Sequence, residues 1–288
     1  MWLVAAICSA LFASVTTILS KVGVKNANSD VATAIRTSVV LIFSWLIVFF
    51  TGAYNGVSQI RLKSWVFLVL SGLATGASWL CFFKALSCGE VSKVVAVDKS
   101  SVVLSVLFAL ILFPDERSGL LVKLICLLFI AVGVFMTTDI KRGGEKKQVT
   151  ALIFALLSAL FASFTSLLAK IGIEGVNSNL ATAIRTCVVF FMAWGIVIGR
   201  KESKIVKEIG KKDCLFLVLS GLATGISWLC YYYAVARGQV SVVVSVDKTS
   251  VFITALLSSI IFKEKQTLKT WTGLLLLTAS VVCMAIFA

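Results

Sequence analysis

The sequence predicts an all-α membrane protein with ten transmembrane helices, arranged as two inverted five-helix repeats. Three observations lead to this prediction: an apolar composition, an internal repeat and an odd number of apolar spans in each repeat. The 288 residues are 59% hydrophobic and 14% charged, with a mean hydropathy of +1.04. So few polar residues cannot cover a soluble domain, whereas a helix of about 20 apolar residues crosses a bilayer.

The internal repeat is visible without any gap, since residues 170–248 repeat residues 21–99 at a constant offset of 149. A repeat of this length indicates duplication of a unit of several helices. The shared segments are Ala-Thr-Ala-Ile-Arg-Thr (32–37 and 181–186), Gly-Leu-Ala-Thr-Gly (72–76 and 221–225) and Val-Asp-Lys (97–99 and 246–248).

Each repeat holds five apolar spans, so a short linker between them forces the second unit to cross the membrane in the opposite direction. Such inverted repeats are the plan of many secondary transporters, whose substrate site lies near the bilayer midplane between the repeats. We assign residues 1–140 to the first repeat, 141–149 to a polar linker and 150–288 to the second repeat. The predicted spans are 2–22, 31–51, 64–86, 92–113, 118–138, 151–171, 180–199, 213–235, 241–262 and 268–287.

Local signals justify these spans in order. The first begins at Trp2 without a basic segment, and its repeat mate from Ala151 is internal, so we expect an uncleaved helix rather than a signal peptide. A turn at Asn28 precedes the second span, and the third contains the paired glycines of the repeat. The only proline, Pro114, closes the fourth span, and the Gly143-Gly144 pair lies in the polar linker before the sixth.

Loop charges predict an orientation. The face that holds the first interhelical loop and the linker carries 14 Lys and Arg residues, and the opposite face carries five, including Lys123. Because cytoplasmic loops are enriched in Lys and Arg, the first face is predicted to be cytoplasmic and both termini to be outside.

The composition argues against several classes of protein. The net charge of +14 is explained by basic loops rather than by nucleic-acid binding. The chain has no His, and its eight Cys fall mostly in apolar runs without a CxxC pair, so we expect buried thiols, no metal and no cofactor. The sequence also lacks a phosphate-binding loop and a nucleophile–His pair, and we therefore do not expect an enzyme.

Charged residues inside the spans are the candidate functional groups, since their burial in a bilayer is costly and usually tied to function. They recur in both repeats: Lys21 and Lys170, Arg36 and Arg185, Asp98 and Asp247, and Lys99 and Lys248.

Structural interpretations of the same residues are open. Lys21 and Lys170 lie at span ends, where a lysine can extend to the interface, and each arginine can form an ion pair with an aspartate. Neighbours in a helix point about 100° apart, so Asp98 can pair with Arg36 or Lys21 while the adjacent lysine faces the cavity. Trp79 and Trp228 are either cavity walls or packing residues.

This pattern resembles the drug/metabolite transporter superfamily, specifically its EamA branch, over essentially the whole chain. The resemblance rests on the repeat length, the ten spans, the glycine-rich third span and the acidic–basic turn after the fourth span. That turn is residues 114–117 (Pro-Asp-Glu-Arg) and 263–266 (Lys-Glu-Lys-Gln); the second is similar to the family's Glu-Lys-Leu-Thr turn, and the first departs from it. The near-identity of the halves resembles a recent duplication of a five-span member.

The resemblance implies a multi-pass protein of the bacterial plasma (inner) membrane, and it implies cytoplasmic termini, against the charge count. Triose-phosphate translocators, in the same superfamily, use basic residues on the fourth span of each half, and Lys99 and Lys248 match that placement. The four-span multidrug members use a first-span Glu, and neither Trp2–Val22 nor the sixth span contains an acidic residue. Proton-coupled cation export of that kind is therefore disfavoured.

We predict an alternating-access transporter of small metabolites that carry an anionic group, with its cavity at the repeat interface. The predicted substrate-binding residues are Arg36, Lys99, Arg185, Lys248, Asp98, Asp247, Lys21, Lys170, Trp79 and Trp228. The expected partners are a small-molecule substrate and the lipid bilayer, and monomer and homodimer are both compatible with the sequence. The alternatives are a flippase for a lipid-linked head group and a membrane scaffold that does not transport.

Overall fold

The computed structural model describes residues 1–24, 28–114, 119–137, 146–202, 205–206, 209–264 and 266–287, and within these ranges the regular structure is helical. A short 3₁₀ helix, Ala53–Gln59, follows the second helix. The helices are α1 (Trp2–Val24), α2 (Ser29–Phe50), α3 (Leu62–Cys88), α4 (Val91–Lys99), α5 (Ser101–Leu112), α6 (Leu120–Thr137), α7 (Lys146–Gly172), α8 (Ser178–Gly199), α9 (Lys211–Arg237), α10 (Val240–Lys248), α11 (Ser250–Ile261) and α12 (Leu268–Phe287).

These helices form the ten predicted membrane spans. Within the described ranges, nine spans are long and apolar enough to cross a bilayer, with α4–α5 and α10–α11 each counted as one, and the apolar part of α12 (Leu268–Met284) is the shorter tenth. The predicted fold class, an all-α membrane protein of two inverted five-helix repeats, is confirmed.

The fourth span of each repeat differs from the prediction because it is divided into two helices. The backbone N–H of Ser100 bonds to the carbonyl of Val97 at 3.0 Å, and the Ser100 hydroxyl bonds to the same carbonyl at 2.6 Å. Thr249 repeats both bonds to the carbonyl of Val246. Bonds to the third preceding carbonyl tighten the helix locally, and this change falls directly after each Asp-Lys pair.

The helices pack across the repeats rather than within them. The most extensive contacts join α3 to α7 and α1 to α9, and the fourth span of each repeat packs against the first span of the other. We name two groups accordingly: bundle I contains α3, α4, α5 and α7, and bundle II contains α1, α9, α10 and α11. The second spans, α2 and α8, also contact each other.

Glycines of the third spans attach α8 to bundle I and α2 to bundle II. A Cβ atom at Gly72 would lie 2.7 Å from the Val188 Cβ and 3.0 Å from the Arg185 carbonyl oxygen in α8. A Cβ atom at Gly221 would lie 2.8 Å from the Val39 Cβ in α2. The glycines therefore permit close helix approach, which is the usual role of small residues spaced four apart in membrane helices.

This packing predicts a loss of stability when a methyl group is added. Gly72→Ala is expected to lower the free energy of unfolding by about 1–3 kcal/mol, since a tight interface accommodates an extra carbon poorly. Gly195→Ala is the matched control because nothing lies within 4 Å of a Cβ atom at that helical position. Thermal unfolding in detergent would measure both variants, and equal melting temperatures would contradict the packing role of Gly72.

Lys123 was counted among the charges of the less basic face, although it falls within the fifth predicted span. It lies inside α6, is fully buried, and its Nζ atom donates to Oε1 of Gln239 at 3.2 Å. Because its charge is buried in the protein, Lys123 does not contribute to the loop charge that predicts the orientation. A cysteine introduced at Gly144, which lies outside the described residues, tests the predicted orientation. We expect this cysteine to react with an impermeant maleimide in inside-out vesicles only. Labelling from outside intact cells would reverse the predicted orientation.

Candidate functional site

A polar cavity of about 170 Å³ lies between the two bundles. Its walls come from the first, third and fourth spans of both repeats, together with Arg36 from α2. Of the residues predicted from sequence, the structure brings six to this cavity: Arg36, Trp79, Asp98, Trp228, Asp247 and Lys248.

Arg36 enters the cavity from α2 and is held by α9 of the other repeat. Its Nε donates to the Ser220 hydroxyl at 2.5 Å and one terminal nitrogen donates to the Thr224 hydroxyl at 2.8 Å. Its guanidinium carbon lies 4.2 Å from the centre of the Phe83 ring. The side chain is fully buried, and Nη1 has no hydrogen-bond partner among the described residues.

Arg185 repeats this arrangement in the opposite half. It donates to the Ser71 hydroxyl at 2.9 Å and the Thr75 hydroxyl at 2.8 Å, and it stacks on Tyr232 at 4.1 Å. Its Nη1 also lacks a partner among the described residues. Arg185 itself does not reach the cavity wall, but the Trp228 and Tyr232 rings on which it stacks do.

The aspartates bind serines, not the arginines or Lys21, so the expected ion pair of Asp98 with Arg36 or Lys21 is wrong. The Ser158 hydroxyl, on α7, donates to Oδ1 of Asp98 at 2.5 Å and lies 3.1 Å from the Ser78 hydroxyl. In the other repeat, the Ser9 hydroxyl donates to Oδ1 of Asp247 at 3.0 Å. Within the described residues, neither arginine belongs to an ion pair.

Aromatic rings cross the middle of the cavity. The centroids of Trp79 and Trp228, which are repeat mates on α3 and α9, lie 4.7 Å apart. Each also approaches the guanidinium of its own repeat, at 5.6 Å for Arg36 and 5.7 Å for Arg185. The tryptophans are therefore both cavity walls and one of the contacts between the bundles.

The lysines have different environments. Lys248 is buried on the cavity wall, whereas the side chain of Lys99 lies outside the described part of the chain. Lys21 donates from Nζ to the carbonyls of Leu86 and Gly89, both at 2.8 Å, at the end of α3. Lys170 makes the equivalent bonds at the end of α9. The last carbonyls of a helix attract a cation, so neither ammonium group faces the cavity.

Sequence reasoning missed the hydroxyl residues that hold the charged groups. They carry no distinctive motif, yet they recur at the repeat offset, as the charged residues do. The hydroxyl mates are Ser9 and Ser158, Ser71 and Ser220, Thr75 and Thr224, and Ser78 and Ser227.

The hydroxyl of Tyr231 breaks the two-fold symmetry of the cavity, as does that of Tyr232, whose mate is Phe83. Tyr231 lies 2.8 Å from the Ser166 hydroxyl and packs edge-on against Tyr232, with centroids 5.0 Å apart. Its mate Phe82 packs on Phe83 in the same way, at 5.3 Å, so the ring position is shared and the phenol oxygen is not. The cavity is thus more polar at the Tyr231 end.

The fold and this cavity define a class: a polytopic membrane protein with inverted repeats around a polar site, an arrangement found in many secondary transporters. The chain belongs to the EamA-like transporter family, whose model matches residues 1–138 and again residues 149–286. It is therefore a membrane transporter of small molecules, as the resemblance implied.

Curated relatives include proteins of half the length. An uncharacterized transporter in the cobO 3′ region of a Sinorhizobium species is 44% identical over 135 residues, which are 47% of this chain and 94% of that protein. A putative sugar uptake protein of Listeria monocytogenes is 24% identical over 241 residues, covering 79% of this chain and 81% of the relative. A crystal structure with 16% identity shares the fold, with a TM-score of 0.75 over 99% of this chain and 96% of that one.

Proposed function

We propose that this chain is an alternating-access transporter of a small metabolite that carries an anionic group, which binds in the cavity between the bundles. The observation that carries this proposal is the pair of buried guanidinium groups, neither of which is paired with a carboxylate among the described residues. A buried, unpaired charge costs several kcal/mol, and a bound anion would offset that cost.

The Arg36 guanidinium, which lies on the cavity wall, is also oriented for a ligand. Hydroxyl groups bind Nε and one terminal nitrogen of Arg36, and an aromatic ring covers its face, so the side chain is held in place with Nη1 unused. Arg favours carboxylate and phosphate groups because its planar fork donates two parallel hydrogen bonds. Lys248 on the same wall adds a positive charge for the substrate.

A neutral sugar is the second candidate. Paired tryptophans, hydroxyl-rich walls and two aspartates are the groups that bind sugar rings, and the Listeria relative is named as a putative sugar uptake protein. A sugar acid or sugar phosphate would use both the rings and the guanidinium groups. We expect such a compound to bind more tightly than its neutral parent.

A thermal-shift screen of the detergent-solubilised protein separates these candidates. We expect stabilisation by acetate, lactate, glucuronate or glucose 6-phosphate, and less by glucose or choline at equal ionic strength. The neutral-sugar candidate would be favoured if glucose stabilised the protein as much as glucuronate and glucose 6-phosphate do. Stabilisation by organic cations alone would overturn the anion proposal.

Flux into proteoliposomes then tests transport itself. The hit should enter the lumen chemically unchanged and in proportion to protein, which neither a scaffold nor an enzyme would produce. Transfer of a fluorescent lipid between leaflets without uptake of a soluble probe would favour the flippase alternative.

The hydroxyl of Tyr231, which its repeat mate Phe82 lacks, predicts a difference in substrate selectivity. Tyr231→Phe removes one oxygen and leaves the ring, so the affinity for a hydroxyl-bearing anion such as lactate should fall by about threefold to tenfold relative to propionate, the size of one lost hydrogen bond. Phe82→Tyr is the matched control, since it adds the oxygen at the mate position. If lactate and propionate respond equally to Tyr231→Phe in binding titrations, the phenol does not contact substrate.

A further inference from the structure

Hydrogen bonds and stacking contacts divide differently between the bundles. Asp98, Ser158 and Ser78 all lie in bundle I, and their mates Asp247 and Ser9 lie in bundle II, so these networks tie each bundle to itself. The tryptophan pair and the arginine–ring contacts instead join one bundle to the other. Stacking is less directional than hydrogen bonding, so this interface can slide while each bundle stays intact.

Lys21 and Lys170 are exceptions at the helix ends, because each forms hydrogen bonds from one bundle to the other, as Tyr231 does with Ser166 inside the cavity. Lys21 reaches from the end of α1 to the end of α3, at the membrane face where α2 begins, which we name face A. Lys170 reaches from the end of α7 to the end of α9 at the opposite face, face B. Each lysine therefore joins the two bundles at one face, and both sets of bonds are present together.

Face A carries a second contact of this kind. Asp30 begins α2, which packs on bundle II, and it pairs with Arg200, which follows α8 on bundle I. The Asp30 side chain is 10% exposed, so this ion pair is partly shielded from water. Lys84 and Glu202 line the same pocket of face A.

The repeat mates at face B are neutral. Asn179 replaces Asp30, Thr51 replaces Arg200, Tyr233 replaces Lys84 and Ala53 replaces Glu202. The Thr51 hydroxyl donates to the Ile47 carbonyl of its own helix, and the Asn179 backbone N–H bonds to the side chain of Asn177. In halves that are otherwise so similar, these changes give face A, and not face B, a charged pair at these positions. The Lys63–Glu174 ion pair at face B instead joins the start of α3 to the segment after α7.

We propose that Lys21 and Lys170 are paired gate latches, and that the Asp30–Arg200 ion pair is an additional lock that makes face A harder to open than face B. The inference rests on the alternating-access function proposed above and adds its directional bias. A symmetric duplicated transporter would populate its two open states equally, whereas this lock shifts the population towards opening at face B.

The double variant Asp30→Asn/Arg200→Thr removes the lock, because it gives face A the neutral residues found at the mate positions of face B. The double variant Asn179→Asp/Thr51→Arg introduces the lock at face B. The reporter is a single cysteine at Ala13 or at its mate Ala162, both on the cavity wall, in a chain whose eight cysteines are replaced by serine. An impermeant maleimide is added to one side of right-side-out or inside-out vesicles, with a Gly144→Cys chain marking face A.

Without the lock, labelling from face A should rise about twofold to fivefold, the range for a partly exposed ion pair, and labelling from face B should not rise. The transplanted lock should slow labelling from face B by a similar factor. In the chain with the native lock, 1 M salt should speed labelling from face A, since it screens the pair, and the Asp30→Asn/Arg200→Thr chain should not respond.

An unchanged rate from face A in Asp30→Asn/Arg200→Thr overturns the lock while leaving transport intact. Absence of labelling from either face in the chain with the native lock overturns alternating access and the lock together. If the cysteine-free chain does not fold, hydrogen exchange of the chain with its native cysteines is the second measurement. Asp30→Asn/Arg200→Thr should then speed amide exchange over residues 86–91 at face A and not over residues 235–240 at face B. Equal changes in the two segments would overturn the proposal.

Discussion

Arg36→Met is expected to lower substrate affinity and transport by about tenfold to a hundredfold without loss of folded protein. The factor corresponds to the loss of a charge-assisted hydrogen bond of roughly 1.5–3 kcal/mol to the anion. Binding titration and proteoliposome flux measure the two effects. Methionine retains the length of the side chain, so the change isolates the guanidinium group.

Most substitutions of buried residues lower the melting temperature, but Arg36→Met is not expected to do so. Removing Arg36 loses its two hydrogen bonds, to Ser220 and Thr224. Both hydroxyls still donate to backbone carbonyls of α9, at 2.8 and 2.7 Å, so no buried donor is orphaned. The desolvation cost of an unpaired buried ion, several kcal/mol, is relieved at the same time, and the melting temperature should stay the same or rise.

Arg185→Met is the matched variant in the other repeat. If both guanidinium groups contact the anion in turn, the two variants should have similar effects on flux. A melting temperature that falls in proportion to the loss of transport would instead assign the arginines a structural role.

Asp98→Asn is expected to tighten anion binding about tenfold while slowing turnover. The carboxylate lies on the cavity wall and is only 8% exposed. At an effective dielectric constant of about 20, removal of one negative charge near a bound anion strengthens its binding by about 1–2 kcal/mol. A more tightly held anion leaves more slowly, so the affinity and the transport rate should move in opposite directions.

The amide oxygen introduced by Asp98→Asn can still accept the hydrogen bond of Ser158, so local packing is retained. Ser158→Ala is the control, since it removes that bond and keeps the charge; it should not tighten anion binding. Isothermal titration with the best anion of the screen distinguishes the outcomes. Weaker binding in Asp98→Asn would mean that the carboxylate attracts the substrate, as a cation site requires.

The sequence by itself determined the fold and pointed to several residues that the structure places on the cavity wall. A constant offset of 149, five spans in each copy and apolar runs of membrane length were enough for the inverted ten-helix plan, because the bilayer restricts an apolar chain to few structures. The same offset singled out Arg36, Asp98, Trp79 and their mates, since charge is too costly in a membrane to recur without a role.

Only the tertiary structure decided what each of these residues contacts. Arg36 bonds to residues 184 and 188 positions away rather than to Asp98, and Lys21 reaches carbonyls 65 and 68 positions away rather than the cavity. Such partners depend on which helix faces which, and on how each helix is rotated. Hydrophobic periodicity carries little of that information when nearly every helix face is apolar, so the serine and threonine partners became visible only once the two inverted halves were packed together.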